Sequence, residues 1–93
     1  MRKTEPTTRF KRDFKRELKG RYRSTLNADL ISLLELLASD IPLEPHFRDH
    51  ALTGNWINHR DCHIRPDLVL IYQKPDEETL RLVRLGSHSE LGL

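Results

Sequence analysis

Apolar residues recur every fourth position at Phe10, Phe14 and Leu18, and most positions between them are Lys or Arg. This spacing predicts an amphipathic helix over about Arg9–Lys19. Thr7 and Thr8 are placed to cap its start, and Gly20 to stop it. Ahead of it, Pro6 biases Glu5 away from helix, so Met1–Pro6 reads as an extended arm or edge strand. Leu26, Leu30, Leu33, Leu34 and Leu37 repeat at i, i+4, i+7, i+8 and i+11, with Ile31 and Leu36 widening the stripe. They predict a second helix with Ser24, Thr25 or Asn27 as cap, closed by Ser39-Asp40 and the prolines Pro42 and Pro45.

Beyond Pro45 the period changes from helical to alternating. Thr53-Gly54-Asn55 is a turn signal. Trp56–Ile64 reads as a strand, with Arg60 and Cys62 on one face and Asp61 and His63 on the other. Arg65-Pro66-Asp67 turns the chain into Leu68–Gln73, which is apolar on both faces and therefore central. Lys74–Glu78 forms a hairpin loop, Thr79–Leu85 the returning strand, and Gly86-Ser87 its end. The expected architecture is α+β: two N-terminal helices packed on a small antiparallel sheet of three or four strands, in one domain spanning residues 1–93.

Composition adds a polarity along the chain. Of 93 residues, 37% are hydrophobic and 32% charged, enough for one modest core. Residues 1–23 carry ten Lys/Arg against three acids, whereas the remainder carries six against eleven. A basic N-terminal helix points to an acidic partner, nucleic acid first, with Lys11, Arg12, Lys15, Arg16 and Lys19 as contacts. A merely solvated helix face is the competing reading of these charges. A single cysteine, Cys62, excludes an intrachain disulfide and suits a reducing compartment. No apolar run approaches the ~20 residues of a membrane span, and no apolar segment follows the N-terminal charges as in a secretory signal. A cytoplasmic protein without membrane association is expected.

The chemistry concentrates between Phe47 and Asp67, which holds three histidines, three aspartates and three arginines, with His88 near the chain end. Gly-rich phosphate loops and a serine nucleophile elbow are absent. RNA carries its own nucleophile, the 2′-hydroxyl. Cleaving it takes a base, an acid for the leaving 5′-oxygen, and a cation for the charge that builds on phosphorus. Histidine, with an ordinary pKa of ~6.5, suits both proton roles, and arginine suits the third. His50, His63 and His88, with Asp61, Asp67 and Arg60 or Arg84, supply the full set. His46 and His59 read as polar surface, and Trp56 and Tyr72 as core. A metal site competes, since His46/His50 and His59/His63 are spaced i, i+4. In a strand such a pair lies ~13 Å apart, so neither a metal nor another cofactor is expected.

Three ordered segments resemble the YafQ family of toxins in the RelE/ParE superfamily of type II toxin–antitoxin systems. They are Phe47-Arg48-Asp49-His50-Ala51-Leu52-Thr53-Gly54-Asn55-Trp56, Arg60-Asp61-Cys62-His63-Ile64-Arg65-Pro66-Asp67-Leu68-Val69-Leu70-Ile71-Tyr72, and Leu82-Val83-Arg84-Leu85-Gly86-Ser87-His88-Ser89-Glu90-Leu91. The resemblance implies the RelE-like, microbial-RNase-like fold and a ribosome-dependent, metal-independent mRNA endoribonuclease, an mRNA interferase. It places the catalytic histidines and acids on His50, Asp61, His63, Asp67 and His88. As partners it implies mRNA and ribosomal RNA in the ribosomal A site, and a cognate DinJ-like antitoxin that could form a heterotetramer with the toxin. One departure stands out: the family carries an aromatic residue just after the final leucine, where this chain has Gly92. The alternative is therefore a catalytically weak homologue that binds RNA or antitoxin.

Overall fold

The first apolar stripe becomes α1 (Thr8–Glu17), and Thr7 caps it by accepting a hydrogen bond from the Phe10 amide at 3.2 Å. Its last residue is Glu17, earlier than Gly20, which falls in the turns leading to the second helix. Phe10 is buried, Phe14 half-buried and Leu18 exposed, so the stripe leaves the core as the helix runs out. The leucine stripe becomes α2 (Leu26–Ala38). Asp40, at φ 56°, turns the chain out of it, and its carboxylate accepts from Arg2 Nε (2.9 Å) and Lys74 Nζ (2.7 Å). A computed structural model describes residues 1–93.

The sheet has five strands: β1 (Lys3–Pro6), β2 (His50–Ala51), β3 (Arg60–Arg65), β4 (Leu68–Gln73) and β5 (Thr79–Gly86). Their spatial order is β1-β5-β4-β3-β2. This corrects the expected sheet in two ways. The N-terminal arm does form an edge strand, but it pairs parallel with β5. A two-residue strand, β2, extends the other edge by pairing His50 with Asp61 and Ala51 with Arg60. The strand expected from Trp56 begins only at Arg60, because Gly54–Trp56 forms a 3-10 turn and Asn58 takes φ 69°. The third helix, α3 (His88–Leu91), was not expected.

Both long helices cover one face of the sheet. Phe10, Leu26, Leu30, Leu33 and Leu37 meet Cys62, Leu68, Leu70, Tyr72, Leu80, Leu82 and Leu85 there in the main core. Alternation along β4 turns Val69 and Ile71 to the other face, where only Leu91 of α3 is buried with them and Leu52, Trp56 and Val83 close the rim. Asp61 and His63 alternate with Cys62 and so share this thinly covered face.

One buried carboxylate fastens the helical layer to the end of β5. Strand β1 stops pairing at Leu82, so the edge of β5 beyond it needs other partners. Asp13 supplies one, with 4% of its surface exposed. Its oxygens accept from Arg84 Nε (2.7 Å), Leu85 N (3.0 Å) and Arg16 Nη1 (3.0 Å). Arg16 Nη2 donates to the Leu85 carbonyl at 2.8 Å. A β-carbon at Gly86 would come within 2.8 Å of that same nitrogen, so glycine leaves the guanidinium its place. Burial works to raise the Asp13 pKa, but the bonds from Arg84 and Leu85 and the nearby Arg16 charge outweigh it and hold the group below its ordinary 3.8.

Asp13→Ala strips these donors of their acceptor. It is expected to lower unfolding stability at pH 7 by about 3 kcal/mol, the cost of leaving a buried pair half-made. Because the folded-state pKa is depressed, Asp13 contributes above the unfolded pKa and stops contributing as pH falls. Urea titrations should show the gap between wild type and variant narrowing below about pH 4. A pH-independent gap would contradict the account.

Candidate active site

The uncovered face gathers residues far apart in sequence. Asp61 and His63 lie side by side along β3, and His50 enters opposite Asp61 from β2. His88 opens α3 just after β5, and Asp67 sits in the β3–β4 turn. The His63 and His88 rings approach to 4.9 Å between centroids, edge to face at 66°. Thus four of the five expected acid–base residues border one another directly or through a neighbour, and Asp67 joins them through His88.

Each contact fixes a proton. His88 Nδ1 lies 2.8 Å from Asp67 Oδ1, and the His88 amide donates to the same oxygen at 3.2 Å. A carboxylate only accepts, so Nδ1 carries a hydrogen and Nε2 is left open. These bonds lower the Asp67 pKa. His50 Nδ1 lies 2.7 Å from the Arg48 carbonyl and 3.1 Å from Asp61 Oδ1. Both are acceptors, so its hydrogen also sits on Nδ1 and is aimed at the carbonyl. Asp61 Oδ1 is buried with no aligned donor. Burial raises the Asp61 pKa, and the charges of His50, His63 and His88 only partly offset it. Burial likewise lowers the His63 pKa; Asp61 opposes this, while His88, Arg48 and His50 reinforce it.

The short helix that carries His88 is anchored at both ends. Ser87 and Glu90 form a reciprocal capping box, and Arg16 Nε stands 3.1 Å from Glu90 Oε2. Leu91 plugs the small apolar cluster, and Gly92 closes the helix at φ 71°.

Several expected contacts lie elsewhere. Arg84 is bound to Asp13, with 12% of its side chain exposed. Arg60 bonds Asp49 at 3.2 Å and shares the helix-covered side with Tyr72, whose hydroxyl donates to the same Asp49 oxygen at 2.6 Å. Arg16 belongs to the knot at β5. Lys11, Arg12, Lys15 and Lys19 are exposed and make no ion pair, on the helical layer. His46 stacks on Phe47 at 4.2 Å and His59 meets Trp56 edge-on, both outside the cluster. No three His, Cys, Asp or Glu side chains are grouped as a metal site, and burial pushes the Cys62 thiol pKa far up. The sequence does not single out Arg48 among the three arginines between Phe47 and Asp67, since nothing in its spacing relates it to His63. Arg48 lines a cleft of about 580 Å³ with His63, Phe47, Ile64 and Leu36.

The sequence profile described as bacterial toxin of type II toxin–antitoxin system, YafQ, matches residues 2–92. The chain belongs to the YafQ family of type II toxins. It is similar to a Haemophilus influenzae protein that carries the YafQ name, at 35% identity over 98% of this chain and 92% of that one. It is 41% identical to the mRNA interferase toxin YafQ of Escherichia coli over 60% of each chain. It also superposes on YafQ in the E. coli DinJ–YafQ complex with a TM-score of 0.82, at 35% identity over 98% of both chains. The two N-terminal helices on a small sheet are thus the YafQ architecture. No helix is long and apolar enough to cross a membrane.

Asp61 and Asp13 are both buried carboxylates but should answer mutation oppositely. Asp61 has a raised pKa and an unpaired oxygen, so its charge opposes folding above that pKa. Asp61→Asn is expected to leave the thermal midpoint at pH 7.5 unchanged or raised by a few degrees, roughly what 1 kcal/mol gives in a domain this size. A fall of ten degrees or more would show that the carboxylate supports the fold.

Proposed function

We propose that this YafQ-family toxin is an endoribonuclease that cleaves mRNA on the ribosome by acid–base catalysis. The observation that carries the reading is the His63–His88 pair, 4.9 Å apart over the buried Asp61. In-line attack places the 2′-oxygen and the departing 5′-oxygen on opposite sides of phosphorus, so two proton-transfer groups must flank one phosphate. His63, kept uncharged by burial and its cationic neighbours, is suited to take the 2′-hydroxyl proton. His88, held at Nδ1 by Asp67, gives the proton to the 5′-oxygen from Nε2. The O2′–P bond forms as the P–O5′ bond breaks, leaving a cyclic phosphate. His50 borders the same space with Nε2 open, and Asp61 beneath balances the cations that come and go.

The mRNA interferase name of the E. coli relative supports this chemistry, and the DinJ–YafQ assembly supports an antitoxin partner for this chain. The exposed Lys11, Arg12, Lys15 and Lys19 face is suited to ribosomal RNA or an acidic antitoxin segment. No aromatic ring stands at Gly92 to stack on a base. A homologue that binds message without cutting it is therefore the competing reading.

Primer extension on a translated message is expected to show cuts with the wild-type chain and none with His63→Ala or His88→Ala, each folded by circular dichroism. Loss of a proton-transfer group should cost about 10²–10⁴ in rate. The acid limb of the pH–rate profile should fall below pH ~6.5, because the His63 pKa is lowered. His50→Ala should retain that limb. Undiminished cutting by both alanine variants would refute the assignment.

A further inference from the structure

The acid–base reading leaves one requirement unmet. Phosphorane-like charge builds on the non-bridging oxygens, and the cluster already holds two carboxylates, Asp61 and Asp67. A cation must stand close by. The arginines expected from sequence are engaged: Arg84 with Asp13 at 2.7 Å, Arg60 with Asp49 at 3.2 Å, Arg16 with Asp13 at 3.0 Å. Arg65, on the cleft wall, is held by Asp29 at 2.7 Å. Arg21 lies over the Tyr22 ring at 5.2 Å, with its charge acting at Asp67.

We propose that Arg48 is the residue that grips the scissile phosphate. This rests on the nuclease reading and names a catalytic group that reading lacks. Arg48 lines the cleft that His63, alone of the five acid–base residues, reaches; its side chain is exposed, and no carboxylate pairs with it. Its backbone, by contrast, is held on both sides. The amide donates to the Pro45 carbonyl at 3.0 Å, and the carbonyl accepts from His50 Nδ1 at 2.7 Å. Between them φ is 49°, a left-handed conformation that arginine rarely adopts and that persists where surroundings impose it. The root is fixed while the guanidinium stays free, which suits a fork that must meet two phosphate oxygens. The same turn that aims Arg48 fixes the tautomer of His50, so phosphate grip and imidazole orientation come from one piece of backbone. Arg48 exchanges no proton: the 2′-hydroxyl proton goes to His63 and the 5′-oxygen takes its proton from His88. The apolar wall of Phe47, Leu36 and Ile64 runs on from this point, giving the nucleotide beside the cut a place to lie.

The test uses Arg48→Gln and Arg48→Lys toxins freed from their antitoxin complex. Single-turnover cleavage of ribosome-bound message is measured beside an NMR titration of His63. Arg48→Gln is expected to cut about 100-fold more slowly, the loss typical of one transition-state donor. Arg48→Lys should recover part of this, since it keeps charge without the fork. Of the groups facing His63, namely Asp61, His88, His50 and Arg48, only the last changes. Its positive charge lowers the His63 pKa, so the glutamine variant should titrate His63 at higher pH than wild type, whether or not RNA is present. Cutting within threefold of wild type while His63→Ala is inactive would overturn the role of Arg48 and leave the nuclease reading standing. An unmoved His63 titration would also overturn it, by placing the guanidinium away from the ring. A wild-type chain that binds message without cutting overturns the nuclease reading, and the phosphate role falls with it.

Discussion

The structure depends on a carboxylate buried where a strand runs out. Strand β1 covers only the first half of β5, and Asp13, reaching across from α1, completes the edge that β1 leaves open. Arg16 answers the Leu85 carbonyl from the same helix. These bonds set the position of residues 84–86, and α3 begins two residues later. The placement of His88 is therefore downstream of Asp13 in a mechanical sense. Glu90 closes the loop by returning to Arg16. In a chain of this size, with one modest core, such a polar knot secures an element of only four residues that has a single buried side chain, Leu91.

That arrangement leaves the sheet two unlike faces. The helix-covered face is apolar and saturated, and even its polar members are satisfied, as Tyr72 is by Asp49. The other face has a small cluster around Val69 and Ile71 and, next to it, a patch of imidazoles over Asp61. An unpaired buried oxygen is costly by the rules that built the first face. It makes sense where three rings need a counter-charge nearby that none of them monopolises. Asp13 is bonded to saturation and has a depressed pKa; Asp61 is nearly bare and has a raised one. The pair shows two opposite kinds of carboxylate burial within one molecule, and the proposed nuclease reading assigns the second to the site.

Local periodicity explains what could be read in advance. Phe10 and Phe14, the leucines of α2, and the run Leu68–Gln73 each match one geometric template, and their elements lie within a few residues of expectation. Asp61 and His63 alternate along a strand, so their shared face was legible too. Convergence of His50 and His88 on that face was suggested by family resemblance, because no spacing rule links residues 38 apart. What was not legible depends on partners. The parallel pairing of β1 is made by a chain end whose own pattern is nondescript. Strand β2 is two residues long and exists only because β3 offers an edge. Arg84 looks like a phosphate ligand until Asp13, 71 residues away, is seen to hold it. Trp56 suggested a strand start, but Gly54 at φ 63° and Asn58 at φ 69° bend the chain into a turn there.

Charge asymmetry along the sequence acquires a different meaning in three dimensions. From sequence, the basic N-terminal segment reads either as a polyanion grip or as a solvated helix face. In the fold its residues divide: Arg16 turns inward to the knot, while Lys11, Arg12, Lys15 and Lys19 face solvent on the helical layer. Helix α1 packs on the face of the sheet opposite the imidazoles; of the helical layer only α2 reaches His63, where it walls the cleft. A polyanion held by α1 alone would not present a bond to His63 and His88. On the proposed nuclease reading, holding and cutting are thus separate demands. A surface charge attracts from a distance and weakens with salt, whereas a phosphate set beside carboxylates must be met by a donor already in place. On the proposed nuclease reading, the two carboxylates of the cluster, Asp61 and Asp67, set the need for that local donor.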